Sequence, residues 1–136
     1  MEAELNEIRK KVESDRFSKS LGIELLDLKR GYSKMAMTVR DDMLNFHGIA
    51  HGGSIFSLAD AAFAAASNSH GQQAIALSMT INYRSPAEKG VRLVAEGVEE
   101  SLGRRTGLYR MEVRTEEGVL IASAQGTVYR REEKIT

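Results

Sequence analysis

Apolar residues recur along this chain with two periods. From Ser54 onward, Ile55, Leu58, Ala59, Ala62, Phe63 and Ala66 fall three and four residues apart, the spacing of one helical face, and predict a helix over about 54–69. The other face is almost wholly alanine, with Asp60 as its single charge. A surface helix normally carries a charged face, so this one reads as a buried central helix with one carboxylate set among small side chains. A buried carboxylate needs a partner or a task. Near the N-terminus, Leu5, Ile8 and Val12 share a face, with Phe17 as a further apolar candidate, and predict an amphipathic helix over 2–19, either a packing and oligomer contact or a fraying end.

Elsewhere the period is two. Ile23–Leu28 and Tyr32–Val39 form a predicted hairpin through Lys29-Arg30-Gly31, and Met35, Met37 and Val39 alternate with Lys34 and Thr38. After a stop at His70-Gly71, strands are predicted over about 73–84, 91–101, 104–115 and 119–129, with turn residues between them. In the third, Tyr109, Met111 and Val113 oppose Arg110, Glu112 and Arg114. Several exceed the usual strand length, so the sheet should be long and curved. Strands joined by short turns around one small-faced helix predict an α+β domain over 20–130, its antiparallel sheet wrapped around the helix, with a charged, fraying tail at 131–136. Such a sheet leaves edges open, and pairing with a second subunit is the expected remedy.

Composition narrows the function. The 136 residues suit one domain, and 19 Lys plus Arg balance 19 Asp plus Glu, which argues against a general nucleic-acid binder. There is no cysteine, so disulfides, thiolate metal sites and a cysteine nucleophile are excluded. No apolar run reaches membrane-span length, and MEAELNEIRKKVESDRF is too charged for a signal peptide. The expected location is the cytoplasm.

Candidate chemistry gathers in NFHGIAHGGSIFSLADAAFAAASN, residues 45–68. Gly52-Gly53, read as lying just before the helix, leaves backbone N–H groups open at the positive end of its dipole, a place for an oxyanion or a polarised carbonyl. Alone, the pair is explained as well by an awkward turn. Asp60 lies two turns in, too far for a cap, and its alanine-lined setting favours function over a structural role. Ser67, two turns on, shares its face, and Ser57 lies one turn before; local backbone bonding is the simpler account of each hydroxyl. His47 and His51 lack a third ligand and a helical spacing, so no metal site is predicted. His51 reads as structural or polarising, bonding a backbone carbonyl near the glycines, and His70 as a helix C-terminal cap. Arg104-Arg105 and the group Arg84, Lys89 and Arg92 flank turns; they are phosphate-binding candidates or, more simply, solvated charges. Phe46, Phe56, Phe63, Met79 and Tyr83 are candidates to line an apolar pocket.

The joined pattern N-x-x-G-x-x-H-G-G with an aspartate seven residues on, carried by Asn45, Gly48, His51, Gly52, Gly53 and Asp60, resembles the hotdog-fold acyl-CoA thioesterases of the phenylacetate-degradation (PaaI) type. The likeness runs through LADAAFAAASN, LSMTINYRSPAEKG and the GRRT turn and covers about residues 20–130. It implies a sheet wrapped around a long helix, homodimers with active sites at their interface, and pairing into homotetramers. It implies hydrolysis of an acyl-CoA, with aryl or hydroxyphenylacetyl groups as the expected acyl class. By the same resemblance the Gly52 N–H polarises the thioester carbonyl, and Asp60, reaching in from the partner, serves as general base or attacking carboxylate. Asn45 orients the water or carbonyl, His51 supports the glycine turn and Ser67 assists the carboxylate. Gly53, Ser78, Asn82, Arg84, Ser85, Arg104 and Arg105 fall in regions that contact substrate. No metal or redox cofactor is implied, and coenzyme A enters only as part of substrate and product.

Two other readings use the same residues. A hotdog dehydratase or hydratase would cast His51 and Asp60 as proton-transfer groups, although the H-G-G loop leading straight into a helix resembles thioesterases more closely. A non-catalytic acyl-CoA sensor would usually carry a DNA-binding region, for which the first 19 residues are too short and have no excess of basic residues.

Overall fold

The computed structural model describes residues 2–136. The N-terminal stretch is two helices rather than one, α1 (Glu2–Glu13) and α2 (Arg16–Ser20). The break has a local cause: Asp15 is extended, and its carboxylate accepts the Ser18 N–H at 3.0 Å as the N-cap of α2. The predicted hairpin follows as β1 (Glu24–Lys29) and β2 (Tyr32–Thr38), and a single 3-10 turn at Asp41–Met43 leads to the loop before α3 (Gly52–Asn68). The last four strands are β3 (Gln72–Tyr83), β4 (Arg92–Leu102), β5 (Thr106–Thr115) and β6 (Leu120–Lys134). The tail does not fray at Arg130: β6 runs on because Lys134 registers with Gln72 of β3, and the Ile135 N–H donates to Gly71 O at 2.8 Å.

All strands join one antiparallel sheet in the order β1-β2-β4-β5-β6-β3. The chain leaves β2, crosses the sheet along α3 and re-enters at the opposite edge as β3, the arrangement expected of a sheet wrapped around a helix. Register shifts at Leu26, Leu77 and Glu100 insert an extra residue in β1, β3 and β4, and such bulges bend long strands.

The core lies between α3 and the concave face of the sheet. Ile55, Leu58, Ala59, Ala62, Phe63 and Ala66 are all buried there, against Met37, Leu93, Ala95, Tyr109, Met111 and Val113. The contact is close because the sheet also contributes small residues. A Cβ added to Gly97 would lie 2.7 Å from the Ala62 carbonyl oxygen, which also accepts the Ser33 hydroxyl. A Cβ at Gly126 would lie 2.7 Å from the Phe63 ring, which packs at 6.0 Å from the Tyr109 ring. Phe63 is therefore a core residue and not a pocket wall.

Burial of α3 is one-sided. Gly53, Asp60 and Ala64 form an exposed line, with Ser57 and Asn68 half-buried beside it. The expectation of a helix buried all round is corrected: within one chain, the Asp60 face is open. His70 is likewise not a helix cap, since Ser69 holds that position. Its Nε2 lies 2.6 Å from Glu99 Oε1, which also accepts the Tyr109 hydroxyl at 2.8 Å. Burial alone would raise the Glu99 carboxyl, but the hydrogen bonds from His70 and Tyr109 prevail and hold it below the usual range. No helix among the described residues is long and apolar enough to cross a membrane.

Two stability predictions follow from these contacts. Gly97→Ala forces backbone against backbone and should lower unfolding free energy by about 1–3 kcal/mol in denaturant titrations. Glu99→Gln removes a carboxylate stabilised in the folded state. Its deficit should be about 1–2 kcal/mol at pH 7, should shrink as pH falls below the unfolded-state value of about 4.3, and should vanish once pH is below the lowered folded-state value, where the native carboxyl is protonated in both states.

Candidate active site

The loop before α3 is pinned at both ends. The His51 N–H donates to Met43 O at 2.7 Å and the Ala50 N–H to Ala87 O at 2.8 Å. Asn45 closes the loop on itself: its backbone N–H donates to Ile49 O at 2.8 Å, and its side-chain Oδ1 accepts the His47 N–H at 2.9 Å. The Asn45 amide nitrogen has no protein partner among the described residues and lies on a groove shared with Gly52.

The helix starts two residues earlier than the apolar spacing predicts, so both glycines lie in its first turn. His51 is the N-cap, and its Nδ1 accepts the Gly53 N–H at 2.8 Å. The ring thus accepts from a backbone N–H instead of donating to a carbonyl, because a helix start has N–H groups to satisfy. The Ser54 N–H donates to His51 O at 2.9 Å. Among the described residues, only the Gly52 N–H of these first three donors lacks an acceptor, and it stands at the positive end of the α3 dipole.

Steric room explains the glycine pair. A Cβ on Gly52 would come within 3.1 Å of the Tyr83 ring, and one on Gly53 within 3.0 Å of His51 Nδ1. The Tyr83 hydroxyl donates to Gly52 O at 3.0 Å, tying the end of β3 to the start of α3. Tyr83, Arg84, Ser85, Asn45, Ile55 and Gly52 share a groove of about 510 Å³.

Asp60 is elsewhere. It faces a second groove of about 600 Å³ between α3 and the α1–α2 segment, together with Asp15 and Ser57. Solvent reaches the side chain, yet the groove walls strip part of its hydration. That burial, and then the nearby Asp15 carboxylate, raise the Asp60 carboxyl above its ordinary range. Gly52 and Asp60 are eight residues apart on one helix, about 12 Å along its axis.

The other candidates are dispersed. The Ser67 hydroxyl is 2% exposed and donates to Ala64 O at 3.3 Å, not to Asp60. The Ser57 hydroxyl donates to Gly53 O at 2.8 Å. Ser78, on exposed β3, bonds Thr127 Oγ1 at 2.9 Å, and Asn82 lies exposed farther along that strand. Arg104 and Arg105 occupy the β4–β5 turn beside Tyr129, Arg130 and Arg131. Tyr129 registers with Ile75 near the start of β3, whereas Tyr83 ends it, so the Arg pair and the Gly52 groove stand at opposite ends of the strand, roughly 26 Å apart at 3.3 Å per residue. Phe46 projects from the loop tip, 93% exposed.

Sequence reasoning missed Asp15 and Phe17 at the Asp60 groove. The signal was the pair Ser14-Asp15, a capping sequence inside an apparently continuous helical pattern.

Comparison with known proteins agrees with this geometry. The family model described as the Thioesterase superfamily matches residues 47–122, from the loop before α3 into β6. A putative esterase of Archaeoglobus fulgidus is 48% identical over 120 residues, 88% of this chain and 78% of that protein. The acyl-coenzyme A thioesterase PaaI of Escherichia coli is 38% identical over 118 residues, 87% of this chain and 84% of its own. The solved structure of the E. coli PaaI protein superposes with a TM-score of 0.89 at 35% identity, covering 95% of this chain and 99% of that one. The structure of smu.793 from Streptococcus mutans bound to acetyl CoA does so with a TM-score of 0.79 at 28% identity, over 82% and 90% of the two chains. A sheet that curls around one helix, a glycine-lined helix start and these matches lead to one conclusion: this chain belongs to the thioesterase superfamily and has its hotdog fold.

Proposed function

We propose that this protein is an acyl-CoA thioesterase whose sites are each assembled from two copies of the chain. The observation that carries the reading is the unpaired Gly52 N–H at the dipole-positive start of α3, on a groove it shares with the free Asn45 amide nitrogen. These are two donors for a carbonyl oxygen that becomes an oxyanion. Asp60 of the same chain is too far along the helix to serve that carbonyl. In an antiparallel two-fold pairing of α3 centred near Phe56, residues 52 and 60 of opposite chains lie across from each other, because each is four residues from the centre.

The edge strand supports the same pairing. On β3, Ile75 and Leu77 are 51% and 61% exposed, and an unpaired apolar edge favours a second strand. Pairing two β3 strands antiparallel turns opposite ends together, which carries Arg104 and Arg105 of one copy toward the Gly52 groove and Arg84 of the other. Those cations suit the phosphates of coenzyme A. Two such dimers forming a tetramer is the larger assembly in this reading.

The chemistry needs few parts. Asp60 takes a proton from water as the water oxygen bonds the thioester carbon, or the carboxylate itself attacks and the resulting anhydride is then hydrolysed. The C–S bond breaks, and the thiolate leaves and recovers the proton. A thiol pKa of about 8.5, judged by cysteine, makes a strong general acid unnecessary. A carboxyl raised above the ordinary Asp range by burial and by Asp15 is a better base than an ordinary aspartate. His51 positions the glycine turn through Gly53, a role it fills where it stands; a dehydratase would draw it away from that cap. The expected substrates are aryl or hydroxyphenylacetyl thioesters.

Thiol release from an acyl-CoA panel tests the reading. Native turnover should fall at least about a hundredfold in both Asp60→Ala and Asp60→Asn; turnover that survives in both removes Asp60 from the mechanism. Activity should be lost as pH drops through the raised Asp60 pKa, and Asp15→Asn should move that acid limb to lower pH. Gly52→Pro deletes the donor at a helix position that tolerates proline, with His51 already extended before it. It should lower kcat by about 10²–10³ while far-UV dichroism stays native, whereas Gly52→Ala, which keeps the N–H, should lose much less.

A further inference from the structure

Glycine is a poor residue for aiming a donor. Without a side chain, Gly52 is held only by the two peptides that meet at its Cα, and it lies in the first turn of α3, where helices are loosest. An oxyanion donor is useful only if it already points to where the charge will form. The His51–Gly52 peptide carries the unpaired N–H, and the Gly52–Gly53 peptide follows it. Whatever holds these two planes decides where that N–H points.

Both are tied by hydroxyls that the helix itself does not require. The His51 carbonyl accepts the Ser54 N–H at 2.9 Å and the Ile55 N–H at 3.4 Å, so backbone donors already satisfy it. The Ser54 hydroxyl, on a residue 8% exposed, donates to the same oxygen at 2.7 Å. Hydroxyl bonds of this span are common in helices. This one falls on the carbonyl of the peptide whose N–H is unpaired, and a bond at one end of a peptide strengthens the donor at the other. On the far side, the Tyr83 hydroxyl reaches from the end of β3 to Gly52 O at 3.0 Å, while His51 Nδ1 accepts the Gly53 N–H of that same peptide at 2.8 Å. Half of the Tyr83 surface is exposed, so water is within reach of its hydroxyl, yet the hydroxyl bonds the glycine. Partial burial raises that hydroxyl above the ordinary tyrosine range, which keeps it a protonated donor. Of the polar groups in these two peptides, only the Gly52 N–H lacks a protein partner among the described residues. Every bond lies within one chain, so the arrangement does not depend on what covers α3.

We propose that Ser54 and Tyr83 are positioning residues: their hydroxyls clamp the peptides on either side of Gly52 and aim its N–H at the thioester carbonyl. The inference rests on the thioesterase reading above and adds two residues that act through the donor.

The test begins with acyl-CoA kinetics. Ser54→Ala and Tyr83→Phe should each lower kcat at least about fivefold while KM changes less than about twofold, and Ser54→Thr, which keeps the hydroxyl, should retain most of the rate. Added to Gly52→Pro, where no N–H remains to be aimed, neither substitution should lower kcat further. A smaller loss in either single variant overturns the proposal, and so does a comparable loss in the Gly52→Pro background, the result that a merely structural hydroxyl would give. Nitrogen-15 relaxation of the Gly52 amide reads the clamp without turnover. Its order parameter should be about 0.85 in the native protein and fall toward about 0.6 when Ser54→Ala and Tyr83→Phe are combined, while Ala62 in mid-helix stays rigid. If the native protein hydrolyses no acyl-CoA, the thioesterase reading fails and relaxation alone decides: a fall confined to the start of α3 upholds the clamp, and an unchanged Gly52 amide refutes it.

Discussion

The close approach of α3 to the sheet is the contact on which the rest depends. At Ala62 the helix backbone comes so near β4 that only Gly97 fits beneath it, and the Ser33 hydroxyl satisfies the carbonyl that would otherwise be buried without a partner. An alanine-rich helix permits this, since no long side chain holds the backbones apart. The sheet curves over the helix, with bulges in its long strands taking up the bend. Because only one side of α3 is covered, the position of every exposed α3 residue follows from which side meets Gly97 and Gly126.

Two chemical consequences come from the helix being an axis with ends. Its start is where backbone N–H groups run out of carbonyl partners, and the protein satisfies two and leaves Gly52. Its length then separates that donor from Asp60 by two turns. A single α-helix is too stiff to bring them to one carbon, so the proposed donor and the proposed base stay apart within one chain. The proposed pairing of two copies would bridge that separation, with the exposed edge of β3 as the surface proposed for it.

Charge is arranged on a different principle from packing. The His70–Glu99–Tyr109 group ties the end of α3 to β4 and β5 in a partly buried setting, where a hydrogen-bonded carboxylate is worth more than in water. Most other ion pairs lie on the surface and contribute little. Among the described residues Asp60 has no ion-pair partner, and partial burial and then the Asp15 carboxylate raise its carboxyl above the ordinary range. Such a shift favours basicity over stability.

Much of this was legible in the sequence. Period-two and period-3.6 spacing are local consequences of backbone geometry, so the hairpin, the four later strands, the helix carrying Ile55 to Ala66 and the antiparallel class could be read directly. The joined motif from Asn45 to Asp60 also named the family, because its glycines and histidine answer a local demand of the turn into a helix. What the sequence alone did not reveal depends on contacts between distant residues. That β6 continues to Lys134 requires Gln72 as a partner, and that His70 bonds Glu99 requires β4 to pass beside the end of α3. That Asp60 faces solvent and Phe17 depends on where α2 is laid after the Asp15 cap. Spacing determines which residues share a face, but only the packed chain decides what that face meets, because burial is a property of neighbours and not of the residue itself.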